Sequence, residues 1–136
     1  MNVKMKPEKK RILIVDDVAS DTLLVKLYLE HTNDYEVREE NNARAAVSTA
    51  EKFLPHLILL DVMMPGMDGG ELAACFEENE KLKGVPIIFL TAAVTKREVE
   101  AGRGRVGKHP FLAKPVVLTE MAACIRLHLG KSEGRK

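Results

Sequence analysis

The stretch Ile12-Leu13-Ile14-Val15-Asp16-Asp17 sets four consecutive aliphatic residues directly against two acids. A short run that is apolar at every position suits a strand buried on both faces, as in a parallel sheet covered by helices. The design recurs along the chain: Leu57-Ile58-Leu59-Leu60 runs into Asp61, and the run from Val85 to Leu90 ends against Thr91. Two weaker runs complete the set. Glu36 to Glu40, after Tyr35, has Val37 as its one clear aliphatic residue, and Phe111 to Ala113 is short and precedes Lys114. The three aliphatic runs are expected to be central strands, and the weaker two to lie nearer the sheet edges.

Amphipathic segments separate these runs. Leu23, Leu24, Leu27 and Tyr28 recur at helical spacing, as do Ala43, Ala46, Val47 and Ala50, and then Leu72, Cys75 and Phe76. Each stripe is expected to face the sheet. The last helix is the clearest, with Leu118, Met121, Ala122, Ile125 and Leu129 on one face and Gly130 as its expected stop. Strands alternating with helices, joined by right-handed crossovers, predict an α/β fold: a three-layer, doubly wound (βα)5 sandwich around a five-stranded parallel sheet. One domain is expected over residues 11–130, between a basic N-terminal tail (1–10) and a polar C-terminal tail (131–136).

Composition narrows the functional classes. A chain of 136 residues that is 46% hydrophobic and 30% charged has enough apolar content for one folded domain. Its formal net charge of +1 lacks the basic excess of a nucleic-acid binder. The longest uncharged run, Gly84 to Thr95, contains Pro86 and is too short to span a bilayer. No secretory signal is legible at the N-terminus, so a cytoplasmic location is expected. Cys75 and Cys124 follow no metal or redox spacing and read as small core residues, and the four histidines are scattered. Gly102-x-Gly104-x-x-Gly107 matches a dinucleotide-binding string but precedes a strand instead of following one, so these glycines are read as the end of a short fourth helix. The segment Thr95 to Lys114 carries Lys96, Arg97, Arg103, Arg105, Lys108 and Lys114 against Glu98 and Glu100: a solvated face or a docking surface for an acidic partner.

The chemistry sits at the strand ends. Parallel strands bring their carboxyl ends into one crevice, which would gather Asp16, Asp17, Asp61, Thr91 and Lys114. Two like charges about 4 Å apart repel by roughly 4 kcal/mol at an effective dielectric of about 20, so three carboxylates call for a cation. Oxygen-only ligands suit Mg²⁺, which retains waters and shares them with phosphoryl groups. Asp61 is followed by Val62-Met63-Met64-Pro65-Gly66-Met67-Asp68-Gly69, a turn-rich loop that presents its carboxylate to a partner. It is the candidate nucleophile, and attack on phosphorus would make an acyl phosphate.

From about residue 10 to 130, these motifs together resemble the response-regulator receiver domain of two-component signalling. Ile12 to Asp17 is similar to that family's first strand and acidic pair, Leu60 to Gly69 to its phosphoacceptor loop, and Thr91-Ala92 to its switch hydroxyl. Phe111-Leu112-Ala113-Lys114-Pro115 resembles its switch aromatic and Lys-Pro pair. The resemblance implies a chemotaxis-regulator-like, flavodoxin-like sandwich in which Asp61 accepts phosphate from the phosphohistidine of a histidine kinase or phosphotransfer protein. It further implies that Asp17, Asp61 and the Met63 carbonyl bind Mg²⁺, that Asp16 helps through water, and that Lys114, before a cis proline, pairs with the aspartate. Thr91 and Phe111 would then alter the surface of the fourth helix, fifth strand and last helix, to control an effector protein or self-association. Such a protein catalyses its own phosphorylation and dephosphorylation without being a turnover enzyme. The alternative is a small Mg²⁺-dependent phosphohydrolase with an aspartyl nucleophile, which would normally carry an Asp-x-Asp pair and a cap. The chain departs from the family pattern at Glu40, where a small apolar residue is usual, and at Lys108-His109-Pro110, where the family often has an acidic or Asn pair.

Overall fold

The computed structural model describes residues 8–92, 105–106 and 109–134. Five parallel strands, β1 (Lys10–Val15), β2 (Tyr35–Glu40), β3 (Leu57–Asp61), β4 (Ile87–Thr91) and β5 (His109–Ala113), form the sheet in the order β2-β1-β3-β4-β5. Arg105–Val106 adds a short antiparallel pairing outside β5. Helices α1 (Ala19–His31), α2 (Ala46–Phe53), α3 (Gly69–Glu78) and a C-terminal helix (Leu118–Gly134) cover the two faces. Among the described residues, no helix is long and apolar enough to cross a membrane.

The alternation of strand side chains divides the core in two. Leu13, Val15, Ile58, Leu60, Ile87 and Phe89 pack on one face with α2 and α3. Ile12, Ile14, Leu57, Leu59, Ile88 and Leu90 pack on the other with α1 and the C-terminal helix. Every residue of β3 and β4 is buried, as aliphatic runs covered on both sides require. The expected stripes before and along α2 and on the C-terminal helix do face the core: Ala43, in a 3-10 turn leading into α2, Ala46 and Ala50, and Met121, Ala122, Ile125 and Leu129, are buried.

Four expectations need correction. On α1 the buried residues are Thr22, Val25 and Leu29; of the expected stripe Tyr28 packs against the core, while Leu23, Leu24 and Leu27 stand about half exposed. The cause is the edge strand: Lys26 Nζ donates to the Val37 carbonyl at 3.0 Å and Glu30 Oε2 accepts from the Val37 N–H at 2.9 Å. Turning the leucines inward would break these bonds and leave edge backbone groups unpaired. On α3 the inward positions are Leu72, Ala73 and Phe76, which leaves Cys75 exposed instead of in the core. β4 begins at Ile87, not Val85, with Pro86 contributing only its carbonyl, to the Ile58 N–H at 3.0 Å. The last helix continues past Gly130 to Gly134, because Gly130 does not take the positive φ that would end it. The expected fourth helix, with the three glycines and most of the basic segment, lies outside the described residues.

Candidate functional site

The carboxyl ends of β1, β3, β4 and β5 converge as the topology requires. One carboxylate oxygen from each of Asp16, Asp17 and Asp61 lies within 4.8 Å of the others. Lys114, at the end of β5, reaches across the gap: its Nζ donates to Asp16 Oδ2 at 2.7 Å and lies 3.5 Å from Asp61 Oδ2. Asp16 and Asp61 are buried, Asp17 is exposed and Thr91 is buried at the end of β4. Phe111, on β5, is half-buried and packs against the α2–α3 side of the core. The Lys114-Pro115 bond is cis, and the Lys114 N–H donates to the Thr91 carbonyl at 2.9 Å.

The loop after Asp61 is held by its backbone. Val62 N–H donates to the Leu90 carbonyl and Gly69 N–H to the Val62 carbonyl, both at 3.0 Å, while Met63 N–H donates to Asp61 Oδ1 at 3.2 Å. Pro65-Gly66, with Gly66 at φ +82°, makes the tight turn between Met64 and Met67, and Asp68 caps α3 through the Gly70 N–H. Gly69 is required by contact: a Cβ there would lie 2.6 Å from the Val62 Cα. Gly69→Ala is therefore expected to cost about 1–3 kcal/mol in denaturant unfolding, because the clash is with main chain that cannot rotate away. Unchanged stability would show that the loop can shift freely.

Electrostatics mark the same place. Burial raises the Asp61 carboxyl above its usual 3.8; the Met63 N–H lowers it, the Asp16 charge raises it again, and Lys114 opposes without cancelling the rise. Burial pulls the Lys114 ammonium down, but the hydrogen bond and charge of Asp16, with the charges of Asp61 and Asp21, outweigh it and hold the ammonium above its usual 10.5. One ammonium thus serves several carboxylates, and negative charge remains in excess. An all-oxygen donor set with this excess fits a hard divalent cation such as Mg²⁺. Cys124 is a poor rival nucleophile, because burial pushes its thiol up.

Sequence reasoning missed three groups. Asp21, in the first turn of α1, places Oδ2 3.9 Å from Lys114 Nζ; its place four residues after Asp17, just past the acidic pair, was the available signal. Asn41 donates from Nδ2 to the Asp16 carbonyl at 2.7 Å. It follows β2 as Asp16 follows β1, so reading the residue after the edge strand as well would have found it. His109 packs edge-on against Phe89, with ring centroids 5.4 Å apart, and pairs with Glu77 of α3 at 2.5 Å; no motif announced it.

The model of the response regulator receiver domain matches residues 12–126. The transcriptional regulatory protein ResD of Bacillus subtilis is 41% identical over 112 residues, covering 79% of this chain and 45% of ResD. The polar-differentiation response regulator DivK of Brucella anthropi is 28% identical over 123 residues, 89% of this chain and 97% of DivK. The solved structure of the chemotaxis response regulator CheY4 of Vibrio cholerae superposes with a TM-score of 0.75 at 28% identity, covering 88% of this chain and 98% of that one. The chain spans about half the length, or less, of curated relatives such as Rre1, ResD and PleD. Strand order, acidic cluster and Lys-Pro bond thus agree with the sequence match over most of the chain, which belongs to the response regulator receiver domain family of two-component signalling.

Proposed function

We propose that Asp61 is the phosphoacceptor, taking a phosphoryl group from the phosphohistidine of a sensor histidine kinase or phosphotransfer protein. The observation that carries this reading is Lys114 Nζ set between Asp16 and Asp61, beside a third carboxylate. Asp17, Asp61 and the Met63 carbonyl are the direct Mg²⁺ ligands in this reading, with Asp16 acting through water. When bound, Mg²⁺ supplies positive charge against the phosphoryl oxygens. An Asp61 oxygen attacks phosphorus, the phosphorus–nitrogen bond breaks, and the imidazole leaves with the bonding electrons. Lys114 exchanges a carboxylate partner for a phosphoryl oxygen, and the Thr91 hydroxyl donates to another.

Output follows from the neighbours of Thr91. Its pairing with Ala113 ties it to β5, so a shift of the hydroxyl draws Phe111 inward and alters the surface of β5, the C-terminal helix and the fourth helix expected from the sequence. That surface meets an effector protein or a second copy of the chain, in the cytoplasm, without direct contact to nucleic acid or membrane. Exposed Val18, Met63 and Val117 follow the site's strands in sequence and give the polar mouth an apolar margin for the donor protein.

The test uses Mg²⁺ and acetyl phosphate. At a hundred times its Kd, Mg²⁺ should stabilise the fold by about 2.7 kcal/mol, raising the melting temperature, and Asp17→Ala should lose most of that rise. The protein should take up a single phosphoryl group per chain. No rise in Mg²⁺, an equal rise in Asp17→Ala, or rapid release of many phosphate equivalents without an accumulating phosphoryl adduct would each overturn the reading, the last in favour of a hydrolase.

A further inference from the structure

The end of β2 reaches into the acidic site through Asn41. Its Nδ2 donates one hydrogen to the Asp16 carbonyl at 2.7 Å and lies 3.0 Å from Thr22 Oγ1. Thr22 is fully buried, and its Oγ1 lies 2.8 Å from Glu39 Oε2 and 3.0 Å from the Ala19 carbonyl. A chain of hydrogen bonds thus runs from β2 through α1 to the peptide that joins Asp16 to Asp17.

That peptide matters because of what it carries. The Asp16 side chain is already fixed, by the Val18 N–H at 3.0 Å and Lys114 Nζ at 2.7 Å. The exposed Asp17 side chain is aimed by the backbone before it, and Asn41 grips that backbone at its carbonyl oxygen.

We infer that Asn41 is a positioning residue for the cation: by holding the Asp16-Asp17 peptide through Asp16, with Thr22 and Glu39 bracing it, it sets the direction of the Asp17 carboxylate. The inference rests on the cation site proposed above. Groups that orient metal ligands without touching the metal typically contribute about tenfold or more in affinity. Asn41 lies at the surface, so its truncation is compatible with folding.

The experiment titrates Mn²⁺, followed by electron paramagnetic resonance, into wild type, Asn41→Ala and Asn41→Ser. Both variants should bind about tenfold more weakly, since neither side chain reaches the Asp16 carbonyl. With acetyl phosphate, the Mg²⁺ concentration for half-maximal phosphorylation should rise by the same factor while the rate at saturating Mg²⁺ is kept. A merely structural asparagine would lower the melting temperature in EDTA and leave that midpoint where it was. Unchanged Mn²⁺ affinity in the variants, with wild type binding normally, would overturn the role of Asn41 alone. Absence of Mn²⁺ binding by wild type would overturn the cation site itself.

Discussion

Asp61→Asn is expected to abolish phosphoryl uptake from acetyl phosphate, with no adduct detectable by mass spectrometry, because the attacking oxygen is replaced by an amide of far lower nucleophilicity. The same variant should melt higher than wild type at neutral pH in EDTA. In the folded chain the Asp61 carboxyl titrates above its usual 3.8, chiefly through burial. A raised folded pKa contributes stability that is fully present below the unfolded pKa and lost as pH rises through the folded one. At pH 7 the ionised carboxylate is therefore a cost that asparagine removes. Mg²⁺ should narrow the difference by neutralising the wild-type charge. An adduct of undiminished yield on the variant would move the nucleophile elsewhere, and a lower melting point in EDTA would contradict the electrostatic account.

Lys114→Ala should be the most damaging single change to the cluster. Removing one partner of a buried ion pair costs about 3–5 kcal/mol, because the remaining charge is left uncompensated. Lys114 keeps 18% of its side-chain surface exposed while Asp16 keeps 1%, which places the expected loss near the lower end, about 3 kcal/mol in EDTA at pH 7. The Lys114 ammonium titrates above its usual 10.5, so its contribution is fully present below that value and fades only as pH rises through the folded pKa. Neutral pH therefore reports the full loss, and acid that protonates the carboxylates should shrink it. Phosphorylation at saturating Mg²⁺ should fall by about a hundredfold, since one donor to the transferring group is gone. Urea unfolding and initial rates measure the two effects; a stability change below about 0.5 kcal/mol would mean that solvent already screens the cluster.

How far the chain could be read depended on the length scale of the interaction involved. Ile12–Val15 and Leu57–Leu60 announce central strands because burial on both faces demands apolar residues at every position, a local requirement written locally. The convergence of Asp16, Asp17, Asp61 and Lys114 was legible for a related reason: in a doubly wound sheet, polar residues that end the strands must meet. Helical periodicity was a weaker guide. On α1 it favoured Leu23, Leu24, Leu27 and Tyr28; of these Tyr28 packs against the core, while the buried face follows Thr22, Val25 and Leu29.

The difference comes from polar contacts across the chain. Thr22 faces inward because Glu39 and Asn41 are there to meet its hydroxyl, and Lys26 and Glu30 lie beside Val37 because an edge strand needs partners for its backbone. Hydrophobicity scored along one helix contains none of these groups, since each belongs to another element. By itself the sequence determined the class of fold, the central strands and the members of the acidic cluster, all of which follow from the pattern of apolar runs and the residues that end them. Only the tertiary structure decided which face α1 turns to the sheet, that Asn41 holds the Asp16 backbone, and that His109 meets Glu77. Those outcomes depend on hydrogen bonds between residues distant in sequence, whose geometry exists only once the elements have packed.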